Sequence, residues 1–322
     1  MAASETVRVV PEGQLAFGVQ LPVQALSLIV SEPWEREDGV GVAELTRAAE
    51  AADRAGFFYV AICDHVAIPR AFAERMSTQW YDPISTLGYL AARTERARLL
   101  TNVFVGPYRH PLQTAKQFAT LDQLSGGRVI LGLGAGHVEG EFEALGVPFE
   151  ARGRLLDEVI DDVKAAWADE FPAFDGPTWK TSDAGQRPRP VQQPRPPIWV
   201  GGSSKPAMRR VAERADGWVP QGTPRADMPG SIAYIREHRD TVRPDAELDI
   251  GVITEPFYIG EPGWDVGSYT ISGTPEQIAE SYNEFAAMGC SHLQVKARAR
   301  SLDELCDQYE AFGADVAPLL KR

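Results

Sequence analysis

Cysteine is scarce in this chain. Its 322 residues include three, Cys63, Cys290 and Cys306, and none stands in a C-x-x-C pair. That excludes a disulfide framework or a cysteine zinc site as the organising device, and it fits a reducing, cytoplasmic setting. Long apolar runs are missing too. Nothing approaches the ~18 residues of a membrane span, and the polar segment 1–13, with Glu5, Arg8 and Glu12, lacks the apolar core of a signal peptide. Positive charge is in deficit: 32 Lys and Arg against 45 Asp and Glu give a net charge of −13. Nucleic acids and anionic membranes want the opposite balance, so the expected partner is a small molecule, with no nucleic acid and no membrane. Several catalytic motifs are absent as well. There is no H-x-H on the first strand-like segment, no G-x-S-x-G and no recognisable Cys/His pair, so neither a metal site nor acyl transfer is expected.

What is present is an alternation. Short apolar runs of the kind that form strands buried on both faces occupy 15–21, 57–63, 99–105, 128–133, 198–201, 217–219, 249–259 and 292–296. Between them lie segments of helical periodicity at 42–55, 82–95, 112–124, 151–168, 205–214, 228–241, 275–288 and 302–316. Start signals support them. Asp82-Pro83 places a cap before a first-turn proline, and Thr274-Pro275-Glu276-Gln277 spells a capping box. Eight strands alternating with eight helices predict an α/β fold, a (β/α)8 TIM barrel. The competing doubly wound sheet wants G-x-G-x-x-G after a strand. Here Gly132-Leu133-Gly134 is followed by Ala135 and Gly136, and His137 takes the third glycine position. The expected organisation is a polar extension over 1–13 and a single barrel domain over 14–322. A Pro-rich insertion, 171–197, precedes strand five, and a long irregular stretch of that kind reads as a functional loop or lid.

In such a barrel the chemistry sits at the C-terminal strand ends. That rule selects Asp64-His65 after strand two, Asn102-Val103 on strand three, Gly134-Ala135-Gly136-His137 after strand four and Gly201-Gly202-Ser203-Ser204 after strand five. A histidine titrates near neutrality and suits acid–base work; the alternative is a satisfied turn histidine. The strand-four glycines leave side-chain-free space for a flat ring, or else permit tight packing at a bend. The Gly-Gly-Ser-Ser run before a helix is an anion cradle or a plain N-cap. Arg109 and His110 bind an anionic substituent or sit on an exposed loop. Lys296, Arg298 and Arg300 make a short basic patch. The segment 65–82, with Phe72, Met76, Trp80 and Tyr81, walls an apolar substrate pocket or belongs to a dimer surface or core.

Taken in order, several pieces resemble a known family. They are Asp64-His65, the run 121–128 (LDQLSGGR), Gly132–Gly136, the run 197–202 (PIWVGG) with 215–218 (ADGW), 272–275 (SGTP) and the basic run 296–300. The chain is similar to the luciferase-like monooxygenase superfamily, and within it to the branch that uses the deazaflavin coenzyme F420. The resemblance covers about 15–318 and implies a bacterial-luciferase-like barrel. It places His65, with Asp64, near the reactive edge of the deazaflavin, and a non-proline cis peptide at Asn102-Val103 behind the ring. Gly134, Ala135 and Gly136 are implied to line the cofactor channel, and Gly201, Gly202, Ser203 and Ser204 to hold the phosphate. His137 stands where sugar-phosphate dehydrogenases of the family carry a glutamate, which argues against a sugar-phosphate substrate and makes His137 a second acid–base candidate. The implied activity is F420-dependent hydride transfer to or from a small organic substrate, by a homodimer. The alternatives are an FMN-dependent monooxygenase using O2 and a flavin- or deazaflavin-binding protein without turnover.

Overall fold

The computed structural model describes residues 7–27, 31–244 and 246–321. Eight parallel strands close into a barrel: β1 Ala16–Gln20, β2 Tyr59–Ile62, β3 Arg98–Thr101, β4 Val129–Gly134, β5 Ile198–Gly201, β6 Gly217–Val219, β7 Asp249–Ile253 and β8 His292–Val295. Each pairs with the next, and β8 returns to β1 through Ala16↔His292 to Val19↔Val295. The barrel expected from the eight-fold alternation is the fold. Strands five and six begin and end where the apolar runs do. Helices Lys205–Arg214 and Pro275–Met288 also match, the latter starting with the Thr274/Gln277 capping box.

The strands alternate their side chains between the barrel interior and the helix layer. Tyr59, Trp199 and His292 fill the interior, with Trp199 and His292 stacked at 4.1 Å. They fit because Gly18, Gly217 and Gly251 stand opposite, where a Cβ would overlap these rings. Large rings facing glycines fill the taper without a void. Outward-facing Val19, Val60, Leu99, Leu131 and Leu293 join the larger core under the helices.

The departures from the sequence reading have local causes. The run 99–105 is not one strand. It stops at Thr101, turns through a cis Asn102–Val103 peptide and resumes at Phe104–Val105, which pair with Leu133 and Gly134. The run 249–259 breaks after Ile253 around Pro256, and Phe257–Ile259 pairs instead with Ile271–Gly273 outside the barrel. The last helix, expected over 302–316, is α-helical only to Ala311 and continues as a π-turn over Phe312–Val316. Two short helices were not expected, Arg70–Met76 and Glu139–Leu145.

The insertion 171–197 packs against the helix layer. It carries a two-residue β-ribbon, Phe174–Asp175 with Lys180–Thr181. It then runs down the outside of helix Pro111–Ser125, where Gln186 donates to the Leu112 carbonyl. Buried Asp122 clamps its far end by accepting from the Val191 and Gln192 amides at 2.8 and 3.0 Å. The polar extension is likewise structural from residue 7 onward. The Val7 and Val9 amides donate to Asp216 and Asp249 on the barrel floor, and Val10 is buried there. Among the described residues no helix is long and apolar enough to cross a membrane.

Candidate active site

The C-terminal strand ends surround a cavity of about 770 Å³, within the usual range for a small-molecule site. Its wall brings together every residue singled out from the strand ends: Asp64, His65, Asn102, Val103, Gly134, Ala135, Gly136, His137, Gly201, Gly202, Ser203 and Ser204. They come from four loops spread over nearly half the chain, and closure of the barrel is what makes them neighbours.

His65 is fixed on one side. Its Nδ1–H donates to Glu141 Oε2 at 2.6 Å, and the other oxygen of that buried carboxylate accepts from the Val66 and Ala67 amides at 2.8 and 3.1 Å. Burial alone would raise the Glu141 pKa. The hydrogen bond and charge of His65, with the two amides, outweigh it and hold the carboxyl below its ordinary value. A carboxylate on Nδ1 selects the tautomer, so Nε2 is the nitrogen left to meet a bound molecule. The Trp80 ring packs edge-on against His65 at 4.3 Å. His137 lies on the rim, its ring 5.8 Å from that of His65. Desolvation, then the neighbouring His65, push its pKa below the ordinary histidine value, against the pull of Glu141.

Asp64 does different work. It is buried, with both oxygens on the Arg109 guanidinium at 2.5 and 2.9 Å and one also on the Val105 amide at 2.8 Å. Asp64 therefore anchors the chain just after the cis peptide, and Arg109 is consumed in that anchor rather than held ready for an anion. His110 caps helix Pro111–Ser125 by accepting from the Leu112 amide. The Lys296–Arg300 patch is also paired: Lys296 and Arg298 meet Glu32 at 3.3 and 2.8 Å, and Arg300 meets Glu304.

The strand-four glycines serve packing. A Cβ on Gly132 would fall on the Thr101 carbonyl oxygen, one on Gly134 on Val103, and one on Gly136 on Val105 and Phe142. Gly201 faces Val103 in the same way. These glycines admit the Val103 side chain into the barrel mouth, and they also line the cavity. At the same mouth, Asn102 donates through Nδ2 to Gln294, while its buried Oδ1 has no partner among the described residues.

At the far end, Ser204 caps helix Lys205–Arg214, and Gly202 adopts φ +103°, a conformation glycine accepts freely. Ser203 is tied down, exchanging hydrogen bonds with the Gln221 backbone. Two arginines line this end. Arg210 is bound to Asp157, whereas Arg152 bonds only the Phe149 carbonyl and stacks on its ring, with no carboxylate partner among the described residues. Arg152 and Glu141 are the participants that strand-end reasoning passed over, whereas Trp80 and Met76 come from the 65–82 segment read as a pocket wall. Glu141 had a legible signal, since a helix start straight after the glycines sets its first turn over the cavity. Among the described residues no group of three or more His, Cys, Asp or Glu is placed to hold a metal ion.

Comparison with known proteins bears on the whole constellation. The family model described as luciferase-like monooxygenase matches residues 21–262. An FMNH2-dependent dimethylsulfone monooxygenase of Pseudomonas putida is 30% identical over 207 residues, which is 63% of this chain and 55% of that enzyme. The chain thus spans about half the length of that curated relative. A monooxygenase from Streptomyces bottropensis superposes with a TM-score of 0.78 at 23% identity, covering 94% of this chain and 99% of that one. The coenzyme F420-dependent tetrahydromethanopterin reductase of Methanopyrus kandleri gives 0.73 at 20% identity, covering 95% and 99%. With the barrel, the strand-end cavity and a model match over most of its length, this chain belongs to the luciferase-like monooxygenase family.

Proposed function

We propose that the protein is an F420-dependent oxidoreductase that moves a hydride between the deazaflavin and a small organic substrate, with His65 as the proton donor or acceptor. The observation that carries this reading is the Glu141–His65 pair, which leaves Nε2 in the cavity. Hydride transfer to a carbonyl needs a proton at the oxygen, and transfer from an alcohol needs one removed. His65 supplies that site in either direction, and Glu141 stabilises the ring when it is charged.

The residues present fit such a cofactor. Asn102 offers a buried, unpartnered amide oxygen at the barrel mouth, which suits a polar ring edge. The far end offers the N-terminus of helix Lys205–Arg214 and the Arg152 guanidinium, which suit a phosphate. When bound, the deazaflavin supplies the hydride-carrying carbon, and the chain's part is to orient, desolvate and exchange the proton. Gly134–Gly136 and Gly201–Ser204 form the wall along which the cofactor lies. Asp64 acts by position, holding Arg109 and Val105.

A second reading, an FMN-dependent monooxygenase, is favoured by the likeness to the Pseudomonas putida enzyme. An anaerobic assay separates the two. Oxidation of reduced F420 by carbonyl compounds without oxygen, lost in His65→Ala, is the expected result. Substrate-dependent oxygen consumption with reduced FMN, and none of the former, would establish the second reading.

A further inference from the structure

A second cavity of about 350 Å³ adjoins the first. It lies outside the barrel wall, between the ends of β1 and β8 and helix Leu302–Ala311. Its walls are mostly apolar, with Leu21, Trp34, Val295, Leu305 and Tyr309 prominent, and carry polar groups where Gln24, Gln294, Glu32, Glu35 and Lys296 reach it. Gln20 and Gln221 belong to the walls of both cavities, so the two share part of their boundary. The charges at its edge are settled among themselves. Glu35 accepts from the Val23 and Glu32 amides at 2.7 and 2.6 Å, and Glu32 faces Lys296 and Arg298. Glu32 thus engages both cations, while burial pushes the Glu35 carboxyl above its ordinary value.

An apolar annex beside a reaction cavity has one evident use. A molecule whose reacting group sits by His65 buries its far end past Gln20, and the gain grows with each apolar group removed from water. We propose that the annex receives the uncharged, apolar end of the substrate. The enzyme then selects compact apolar molecules bearing one polar reacting group over charged ones. At about 30 Å³ for a water-sized group, the annex holds on the order of ten carbons. This rests on the reading of the larger cavity as the redox site.

The test uses straight-chain 2-alkanones from about four to about fourteen carbons, titrated into the whole protein with Trp34 fluorescence as the signal and Trp34→Phe as the blank. Affinity is expected to rise about fourfold per methylene and to level off once the annex is full. A terminal carboxylate on the same chain is expected to weaken binding at least about tenfold, since burying the charge costs its hydration and the nearby cations Lys296 and Arg298 already meet Glu32. Ala297→Leu and Leu305→Phe, which fill the annex, should bring the plateau to shorter chains while F420 titrates as in the wild type. A flat series, equal binding of the carboxylated chain, or an unchanged series in both filled variants overturns the assignment. If the filled variants do not fold, the wild-type series and its carboxylated counterparts decide. If neither F420 nor FMN binds, the redox reading fails by itself, and the chain-length series still reports on the annex.

Discussion

Glu141 is fully buried, with one oxygen on the His65 ring and the other on two backbone amides. Its effect is exerted through His65. Glu141→Gln keeps the shape but puts a weaker acceptor on Nδ1, and kcat is expected to fall about 10- to 100-fold with little change in KM. His65→Ala, which removes the proposed proton donor or acceptor, is expected to lower kcat about 10²- to 10⁴-fold. Both are checked by steady-state kinetics beside a thermal melt. Asp64 behaves otherwise. Asp64→Ala strands Arg109 and the Val105 amide in a buried setting, so the expected loss is in stability, about 3 kcal/mol, read from urea unfolding. His65 was legible because a strand end in a barrel points at the site. Its partner showed only as a glutamate just beyond the strand-four glycines; that it meets His65 was not legible, because the two lie 76 residues apart and spacing does not say which way a first-turn glutamate faces.

The elements that sequence pattern located best are those whose ends carry their own chemistry. Helices capped by Asp82, Ser204 and Thr274 begin where those caps stand. The pattern failed where tertiary packing interrupts a continuous apolar run, as at Asn102–Val103, because an apolar residue reads the same in a strand and beside it. The family-marking residues Asp122 and Asp216 have a similar lesson. Asp122 clamps the insertion, and Asp216 holds Arg195 and the Ile198 amide, so these motifs record the architecture rather than the reaction. Two glycines test the packing directly. Gly132→Ala drives a methyl into the Thr101 carbonyl and is expected to cost about 3 kcal/mol or more. Gly88, inside helix Pro83–Ala91, meets nothing within 4 Å, so Gly88→Ala is expected to stabilise by about 0.5–1 kcal/mol. Urea unfolding of the two variants reads both signs.

Across the whole molecule, a net charge of −13 has to coexist with the anionic cofactor proposed for the cavity. Most arginines near the cavity are spent on carboxylates, so the attraction falls to Arg152 and the helix N-terminus rather than to a basic field. At the opposite end of the barrel, burial pushes the Asp249 carboxyl up to about 6, against the Val9 and Val10 amides and Arg8. The folded group keeps its proton where the unfolded one has lost it, so its contribution to stability grows as pH falls through about 6 toward the usual carboxylate range. The melting temperature of the wild type minus that of Asp249→Asn is therefore expected to be larger at about pH 5.5 than at about pH 8. The barrel itself was readable from eight alternations because the period of each segment reflects the layer it must bury. The fate of segments 7–13 and 171–197 was not, since polar and Pro-rich chains carry no period and their hydrogen-bond partners lie far off in sequence. The identity of the redox partner rests on the cavity and its anion end, and a side-by-side titration of the purified protein with F420 and with FMN addresses it most directly. Micromolar binding of F420, weakened in Arg152→Ala, with no binding of FMN is the expected result; tight binding of FMN with none of F420 would contradict it.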